Sequence, residues 1–178
     1  MKNPFLVGKK IYLRLHDKKD IPTWSQWFND QEVAKFLVHG CFPNTKELQK
    51  KFFENMYGSK SDFQLAIADK KTDVLIGTIG LHRIDLINRN ADISIVIGSK
   101  NYWGKKIGKE AVSLIIAHAF DKLNLHKVTA GMIAGHAASY NLFASLGFKK
   151  ESVLREQDYA DGKYQDVIRL GLLRKEYV

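Results

Sequence analysis

The chain has 178 residues, which suits one domain and is too short for two domains with separate cores. Hydrophobic residues make up 45% of the sequence, so the chain can fill a core and does not belong to the disordered class. The 28 Lys and Arg residues outnumber the 19 Asp and Glu residues, and the net charge of +9 favours an anionic partner without choosing among nucleic acid, membrane and phosphorylated small molecules. We predict a single domain over residues 1–178.

Cysteine usage and the N-terminus bear on where the protein works. Cys41 is the single cysteine, which excludes an intrachain disulfide and fits a reducing cytoplasm. His39 lies near it, but two further ligands are missing from the neighbourhood, so no metal site is predicted. The residues after Met1 contain no signal-peptide stretch, and the longest weakly polar run, 111–120, is too short to span a bilayer. We therefore predict a cytoplasmic protein without a membrane segment.

Hydrophobic patterning predicts strands and helices in the first half of the chain. Asp20 is a helix-capping residue, and Pro22 is tolerated in a first helical turn. Asn44 and Glu47 have the spacing of a capping box and predict the start of a second helix. In chain order, the prediction is a strand over 10–15, helices from Asp20 and Asn44, and strands over 63–68, 74–83 and 91–97.

The second half of the chain alternates helices and strands. Apolar residues recur at helical spacing over 107–123, and a second helical pattern over 137–146 ends at a glycine. A strand over 126–133 separates the two helices, and Asp161-Gly162 is a strong hairpin signal between two closing strands. This order predicts an α/β fold with a mixed (α+β) sheet of about seven strands and helices on both faces. The strands on either side of the long helix should be parallel.

The junction that leads into the long helix carries the strongest chemical signal. Gly104 and Gly108 lie there among the lysines Lys105, Lys106 and Lys109. Free N–H groups at a helix start bind anions, and glycines let a phosphate approach the backbone. The spacing matches neither the triphosphate-binding nor the dinucleotide-binding glycine motif. An ordinary basic helix start, compensated by solvent, is the alternative.

The segment 102–111, YWGKKIGKEA, resembles the acyl-CoA pyrophosphate loop of the GNAT superfamily of N-acetyltransferases, and especially its ribosomal-protein-alanine N-acetyltransferase type. The segment 137–148, which ends in Leu-Gly-Phe, resembles a later helix of the same family. The order of strands and helices matches the family over 9–173. Two motifs in the right topology are a specific signal, whereas either motif alone is weak.

The resemblance implies a GNAT-like acyl-CoA N-acyltransferase fold, with acetyl-CoA as co-substrate and no metal. It implies transfer of the acetyl group to a primary amine by direct attack. It also places the pantetheine arm along the strand backbone around residues 95–98, where two central parallel strands splay apart. The residues assigned to the cofactor are Ile97, Gly98, Trp103, Gly104, Lys105, Lys106, Ile107, Gly108, Lys109, His136 and Ser139.

Three positions depart from the family pattern. Lys106 stands where the family usually has glycine, and its side chain either narrows the phosphate cradle or adds a charge for the phosphates. His136 stands where the family usually has asparagine. Phe143 occupies the position of a tyrosine that protonates the leaving thiolate in many members, although the ribosomal-protein type often lacks it too. These departures keep open a non-catalytic acyl-CoA sensor on the same fold.

Acetyl transfer needs a group that takes a proton from the acceptor amine, because a lysine-like amine is protonated at neutral pH. We predict that Asp92 is this base, since it interrupts the apolar strand leading to the cofactor loop and resembles a carboxylate of the family's acceptor site. The alternative is a strand residue paired with Arg83 or Arg89. His82, on the neighbouring strand, either assists the base or is structural.

For the leaving thiolate we predict Ser139 as the acid or stabilising group, with Tyr140 in reserve. Both lie in the first turn of the later helix, where N–H groups are also free. The alternatives are a local backbone hydrogen bond for Ser139 and packing for Tyr140.

The acceptor is the least constrained part of the prediction. Trp24, Trp27, Phe42 and Pro43 lie in the region that walls the acceptor pocket in this family, although both tryptophans also suit a core. The net charge disfavours polyamines and suits an anionic amino-sugar nucleotide or a protein N-terminus. We predict a small-molecule or peptide amine as partner and leave a homodimer open. Nucleic acid is disfavoured, because the lysines are scattered and no RNA-binding motif occurs.

Overall fold

The computed structural model describes residues 1–37, 43–56, 59, 61–160 and 162–177. In this part of the chain, eight strands form one sheet. The strands are β1 (Leu6–Val7), β2 (Ile11–Arg14), β3 (Phe63–Asp69), β4 (Leu75–Asp85), β5 (Asn90–Ile97), β6 (Lys127–Ile133), β7 (Lys149–Ala160) and β8 (Lys163–Leu173). The α-helices are α1 (Ile21–Asn29), α2 (Gln31–Ala34), α3 (Lys46–Met56), α4 (Ile107–Asp121) and α5 (Ala137–Ala144). His39, Cys41, Phe42 and Asp161, which the sequence singled out, lie outside the described residues.

The sheet has the strand order β1-β2-β3-β4-β5-β6-β8-β7. Neighbouring strands are antiparallel except β5 and β6, which run parallel on either side of α4. The predicted mixed sheet and the parallel pair around the long helix are therefore confirmed. The additional strand is β1, whose two residues are too few to show alternation in the sequence.

The parallel strands β5 and β6 diverge after three paired positions. The register joins 90–92 of β5 to 127–129 of β6, and beyond that point β5 continues to pair with β4 while β6 pairs with β8. Within the described residues, the facing edges at 93–97 and 130–133 have no neighbouring strand. The divergence therefore opens a slot whose walls carry unpaired backbone N–H and C=O groups.

Helices cover both faces of the sheet, as predicted. Ile115 of α4 is fully buried against one face, in the same core as Ile95 of β5. Trp24 of α1 is fully buried on the opposite face, and Val96 of β5 packs against its cluster. Successive strand residues point to opposite faces, so β5 contributes to both cores and fixes the slot between them.

Helix α1 starts where the sequence predicts, but the Asp20 side chain does not cap it. The Asp20 carboxylate accepts two hydrogen bonds from the buried Arg14 guanidinium, at 2.7 and 2.9 Å, and lies 3.6 Å from the His16 ring. Burial alone would raise the pKa of Asp20, but the hydrogen bonds from Arg14 and His16 outweigh it and hold that pKa well below its usual range. The ion pair therefore fixes α1 to the end of β2.

The start of α3 also differs from the prediction. The Oγ1 of Thr45 accepts a hydrogen bond from the N–H of Leu48 at 3.1 Å, so Thr45 is the capping side chain. The Asn44 amide instead donates to Gln49 Oε1 at 2.8 Å, and its backbone exchanges two hydrogen bonds with the Asn29 side chain. Asn44 thus joins α1 to α3 rather than capping a helix.

Candidate active site

A cleft of about 680 Å³ opens where β5 and β6 separate, on the face that carries α1 and α3. Residues 93–96 of β5 and 131–133 of β6 line its middle. The other lining residues include aromatic side chains from α1, α3 and the segment after α2, together with residues of α5 and β8. The cleft therefore contains the slot between the strands and a larger space beside it.

The slot suits a chain that carries amide groups. The edges 93–97 and 130–133 present backbone donors and acceptors in extended conformation. An extended molecule with amides can hydrogen-bond such an edge as an added strand does. This geometry fits the pantetheine arm that the sequence assigned to β5.

The N-terminus of α4 is open to an anion. No side chain caps this end of the helix among the described residues. The first N–H groups of a helix have no carbonyl one turn back, so those of Ile107, Gly108 and Lys109 are available to a ligand. A Cβ atom on Gly104 meets no atom within 4 Å, so open space lies beside the loop. The residues present therefore fit a diphosphate.

The lysines of this loop are not neutralised within the described part of the chain. None of Lys105, Lys106 and Lys109 has a carboxylate within 4 Å there. Lys105 lies 5.6 Å from the centre of the Tyr102 ring, and Lys109 donates to the Ser145 carbonyl at 3.2 Å. Lys106 has a φ of 64°, which costs a non-glycine residue about 1–2 kcal/mol and suits the glycine of the family pattern.

The base of the loop is tied to β5 and α1. The Trp103 indole N–H donates to the Ile97 carbonyl at 2.7 Å and folds the loop back onto the strand end. Gly98 lies against the ring of Trp27 in α1. Ile107 is 4% exposed and anchors the start of α4 in the core. The predicted cofactor residues Ile97, Gly98, Trp103 and Ile107 therefore hold the loop in place and do not line the cleft.

Of the three residues predicted at the start of α5, two line the cleft and the third does not. His136 and Ser139 line the cleft, whereas Tyr140 packs against the main core. The His136 ring stacks on Phe36 with centroids 4.1 Å apart, and burial lowers the pKa of His136. Phe143 lines the cleft at the position where the family pattern has tyrosine.

Asp92 lies at the last paired position of β5 and β6 and is not among the residues lining the cleft. One carboxylate oxygen accepts from Arg169 at 2.6 Å and from the Thr129 hydroxyl, and the other oxygen pairs with Arg83. Pairing with Arg83 was the alternative to a catalytic role. Because two guanidinium groups engage both oxygens, the prediction of Asp92 as the base loses its geometric support.

His82 lines the cleft from β4, next to Ser94 of β5. Its Nε2 lies 2.7 Å from Ser94 Oγ, and its Nδ1 lies 3.4 Å from Asp62 Oδ1. A β-bulge follows His82, where Arg83 has a φ of 51°, and it interrupts the alternation of the strand. With this bulge, His82 contacts Asp62 while the next residue, Arg83, contacts Asp92.

The predicted acceptor wall is only partly correct. Trp24 borders the cleft but is fully buried, Trp27 packs in the α1 core, and Pro43 is not a lining residue. Lining residues that the sequence did not reveal are Phe28, Phe36, Phe52, Met56, Asp62, Ser94, Asp158 and Arg169. The four-residue spacing of Phe52 and Met56 indicates one helix face, but nothing local marks Asp62, which the fold brings to His82.

The described residues also bear on metal sites and membrane segments. They contain no group of three or more His, Cys, Asp or Glu side chains arranged to hold a metal ion. They also contain no helix that is both long enough and apolar enough to cross a membrane.

The chain is similar to known acetyltransferases over nearly its whole length. It is 32% identical to the uncharacterized N-acetyltransferase p20 of Bacillus licheniformis over 176 residues, which cover 97% of each protein. It is 26% identical to YdaF of Bacillus subtilis, whose name proposes a ribosomal N-acetyltransferase, over 96% of this chain and 95% of YdaF. The crystal structure of spermidine N-acetyltransferase from Vibrio cholerae in complex with CoA and spermine superposes with a TM-score of 0.87 at 22% identity, covering 96% of this chain and 99% of that one, and shows the same fold.

The Acetyltransferase (GNAT) domain family matches residues 10–149, which is more than three quarters of the chain. This match includes β2 to α5 and therefore both strands of the slot and the loop before α4. Together with p20, it confirms the expected enzyme class and, with it, acetyl-CoA as the acyl donor. The chain belongs to the GNAT family of acetyltransferases.

Proposed function

We propose that this enzyme transfers the acetyl group of acetyl-CoA to a primary amine by direct attack. One arrangement carries the proposal: β5 forms one wall of the slot, lines the cleft with residues 93–96, and runs into the loop that precedes the open N-terminus of α4. Binding donor and acceptor in one cleft turns a bimolecular reaction into a local one. The bound thioester supplies the acetyl group, and the chain's own residues hold and orient the two reactants.

The N–H groups of 107–109 and the charges of Lys105, Lys106 and Lys109 bind the diphosphate. The helix dipole of α4 and the charges of the lysines both favour an anion at the N-terminus of this helix. The backbone edge 93–97 binds the pantetheine arm.

Ser139 donates a hydrogen bond to the departing sulfur. It lines the cleft beside His136, in the first turn of α5, and its hydroxyl can both donate and accept. Tyr140 would serve only if the start of α5 rearranged, because it packs against the core. Ser139 is therefore our first choice for this role.

The acceptor is a small-molecule or peptide amine. The cleft combines the aromatic rings of Phe28, Phe36 and Phe52 with the carboxylates of Asp62 and Asp158. Aromatic faces and carboxylates both attract a cationic amine. Relatives are named for spermidine and for a ribosomal protein, so both a polyamine and a protein N-terminus belong in the test.

The test measures CoA release from acetyl-CoA against N-terminal peptides, polyamines, amino-sugar nucleotides and aminoglycosides. We expect acetylation of at least one class, with one CoA released per amide formed. Tight CoA binding without transfer to any amine would indicate the acyl-CoA sensor instead. Salt-sensitive binding of oligonucleotides without CoA binding would indicate a nucleic-acid module.

A further inference from the structure

We propose that His82, held by Asp62 and hydrogen-bonded to Ser94, is the base that takes the proton from the acceptor amine. The inference rests on the proposed acetyl transfer and assigns the base role to a residue other than Asp92. All three residues line the cleft, and each comes from a different segment of the fold. Asp62 directly precedes β3, His82 belongs to β4, and Ser94 belongs to β5.

The hydrogen-bond partners fix which ring nitrogen of His82 can act. The Asp62 carboxylate accepts from the Ser61 and Ser59 hydroxyls at 2.7 and 3.0 Å and from the Arg83 backbone N–H at 3.2 Å. These bonds, led by that of Ser61, lower the pKa of Asp62, so it faces His82 Nδ1 as an anion. An anionic carboxylate calls for a proton on Nδ1, which leaves Nε2 as an acceptor for the Ser94 hydroxyl at 2.7 Å.

Burial keeps the His82 ring neutral, so the ring can gain a proton. The charged groups facing it are Asp62 before β3, Arg83 on its own strand, Asp92 on β5, Asp158 on β7 and Arg169 on β8. Burial lowers the pKa of His82 most, Asp62 opposes that shift, and Arg83 adds to it. Asp92 and Arg169 compensate each other at 2.6 Å. The imidazole is therefore neutral at pH 7, and Asp62 stabilises its charged form.

The reaction moves one acetyl group and two protons. An acceptor ammonium beside Ser94 gives one proton to Oγ while the Ser94 hydroxyl proton moves to His82 Nε2. The neutral amine then forms the C–N bond, and the C–S bond breaks to give the CoA thiolate. A second proton passes from the nitrogen to the sulfur, and His82 releases the first proton to water. The products are an amide, CoA and one proton.

The distances around His82 are compatible with this role. The Ser94 contact has the length of a good hydrogen bond, and the longer Asp62 contact is typical of catalytic pairs that tighten on substrate binding. His82 retains 30% side-chain exposure, so a product proton has a route to solvent. By contrast, both Asp92 oxygens are bound by guanidinium groups.

The experiment compares wild type with H82Q, S94A and D62N, using the amine that the panel identifies. Gln can keep a hydrogen bond to Ser94 but cannot accept a proton. H126Q is the matched control, because His126 is an exposed residue that does not line the cleft. The readouts are the pH profiles of kcat and kcat/KM and the Kd for CoA by calorimetry.

We expect kcat of H82Q to fall about 100-fold, with loss of the rise in rate through the His82 pKa and a CoA Kd within about two-fold of wild type. In S94A and in D62N, kcat should fall about 10-fold, and kcat of H126Q should match that of wild type. Wild-type rates and an unchanged profile in H82Q would overturn the proposal while leaving acetyl transfer intact. CoA binding without acetylation of any amine by wild type would overturn both.

Discussion

The Trp27 ring lies so close to Gly98 that a Cβ atom on residue 98 would fall 1.9 Å from it. Trp27 belongs to α1, on the face of the sheet that carries the cleft, and Gly98 begins the loop that leads to α4. The contact therefore joins the two halves of the candidate site, and it exists only because residue 98 has no side chain.

The variant G98A should lower the free energy of unfolding by about 1–3 kcal/mol, because its methyl group must displace Trp27 or the loop. The matched control is G108A, where a Cβ meets Leu142 only at an ordinary contact of 3.4 Å. Alanine within a helix should stabilise G108A by up to about 1 kcal/mol. Urea unfolding measures both values, and equal stabilities for the two variants would contradict the Trp27 contact.

The variant G104D should weaken CoA binding about ten-fold or more, because a carboxylate beside the α4 N-terminus repels the diphosphate. G104N is the control: it has nearly the same shape without the charge, and asparagine tolerates the φ of 72° at this position. Calorimetry with CoA at low salt measures the difference. Equal affinities for G104D and G104N would place the diphosphate away from this loop.

The variant D92N should lower the free energy of unfolding by about 1–2 kcal/mol, because it removes the charge that Arg169 and Arg83 share. Arg83 is 73% exposed, so the half-buried Arg169 accounts for most of this loss. We expect the acid limb of the pH–rate profile to persist in D92N. Its disappearance in D92N, with H82Q behaving as wild type, would restore Asp92 as the base.

Acid should destabilise the protein through the cluster that fixes α1. Burial lowers the pKa of His16 below its ordinary 6.5, so the unfolded chain binds that proton more readily and stability falls as pH drops below 6.5. Arg14 and His16 lower the pKa of Asp20. The ionised Asp20 therefore stabilises the folded state above pH 3.8, and this stabilisation is lost as the pH falls below that value.

At pH 7, the free energy of unfolding of D20N should be about 3 kcal/mol lower than that of wild type, because the variant leaves the buried Arg14 without a counter-charge. D121N is the control, since the Asp121–Arg174 pair is exposed and contributes little. Unfolding free energies from pH 7 to 3 should show the gap between wild type and D20N narrowing below 3.8. A constant gap would contradict the assignment of the acid sensitivity to Asp20.

The elements were predictable because their signals are local. Apolar spacing located α4, and the glycine and lysine pattern located its N-terminus, since both features lie within one stretch of sequence. The cap of α3 was predicted wrongly, because Asn44 and Thr45 are both capping residues and Asn44 is used by Asn29 instead. A neighbouring helix decided that choice, which no local pattern records.

The side chains of the candidate site were less predictable, because they meet through tertiary structure. Asp92 is conspicuous in an apolar strand, yet Arg169 lies 77 residues away in sequence and takes its carboxylate. Asp62 reaches His82 because β3 and β4 pair with Phe63 opposite Leu81. An isolated polar residue in a strand therefore indicates a partner without showing whether that partner is a substrate or another side chain.

A crystal structure of the protein with CoA at saturating concentration tests the central claim most directly. We predict the diphosphate within hydrogen-bond distance of the N–H groups of 107–109, with the pantetheine arm running between 93–97 and 130–133. Ordered CoA in any other place, or no ordered CoA under conditions where calorimetry shows binding, would contradict the claim that the diverging strands and the start of α4 form the acyl-CoA site.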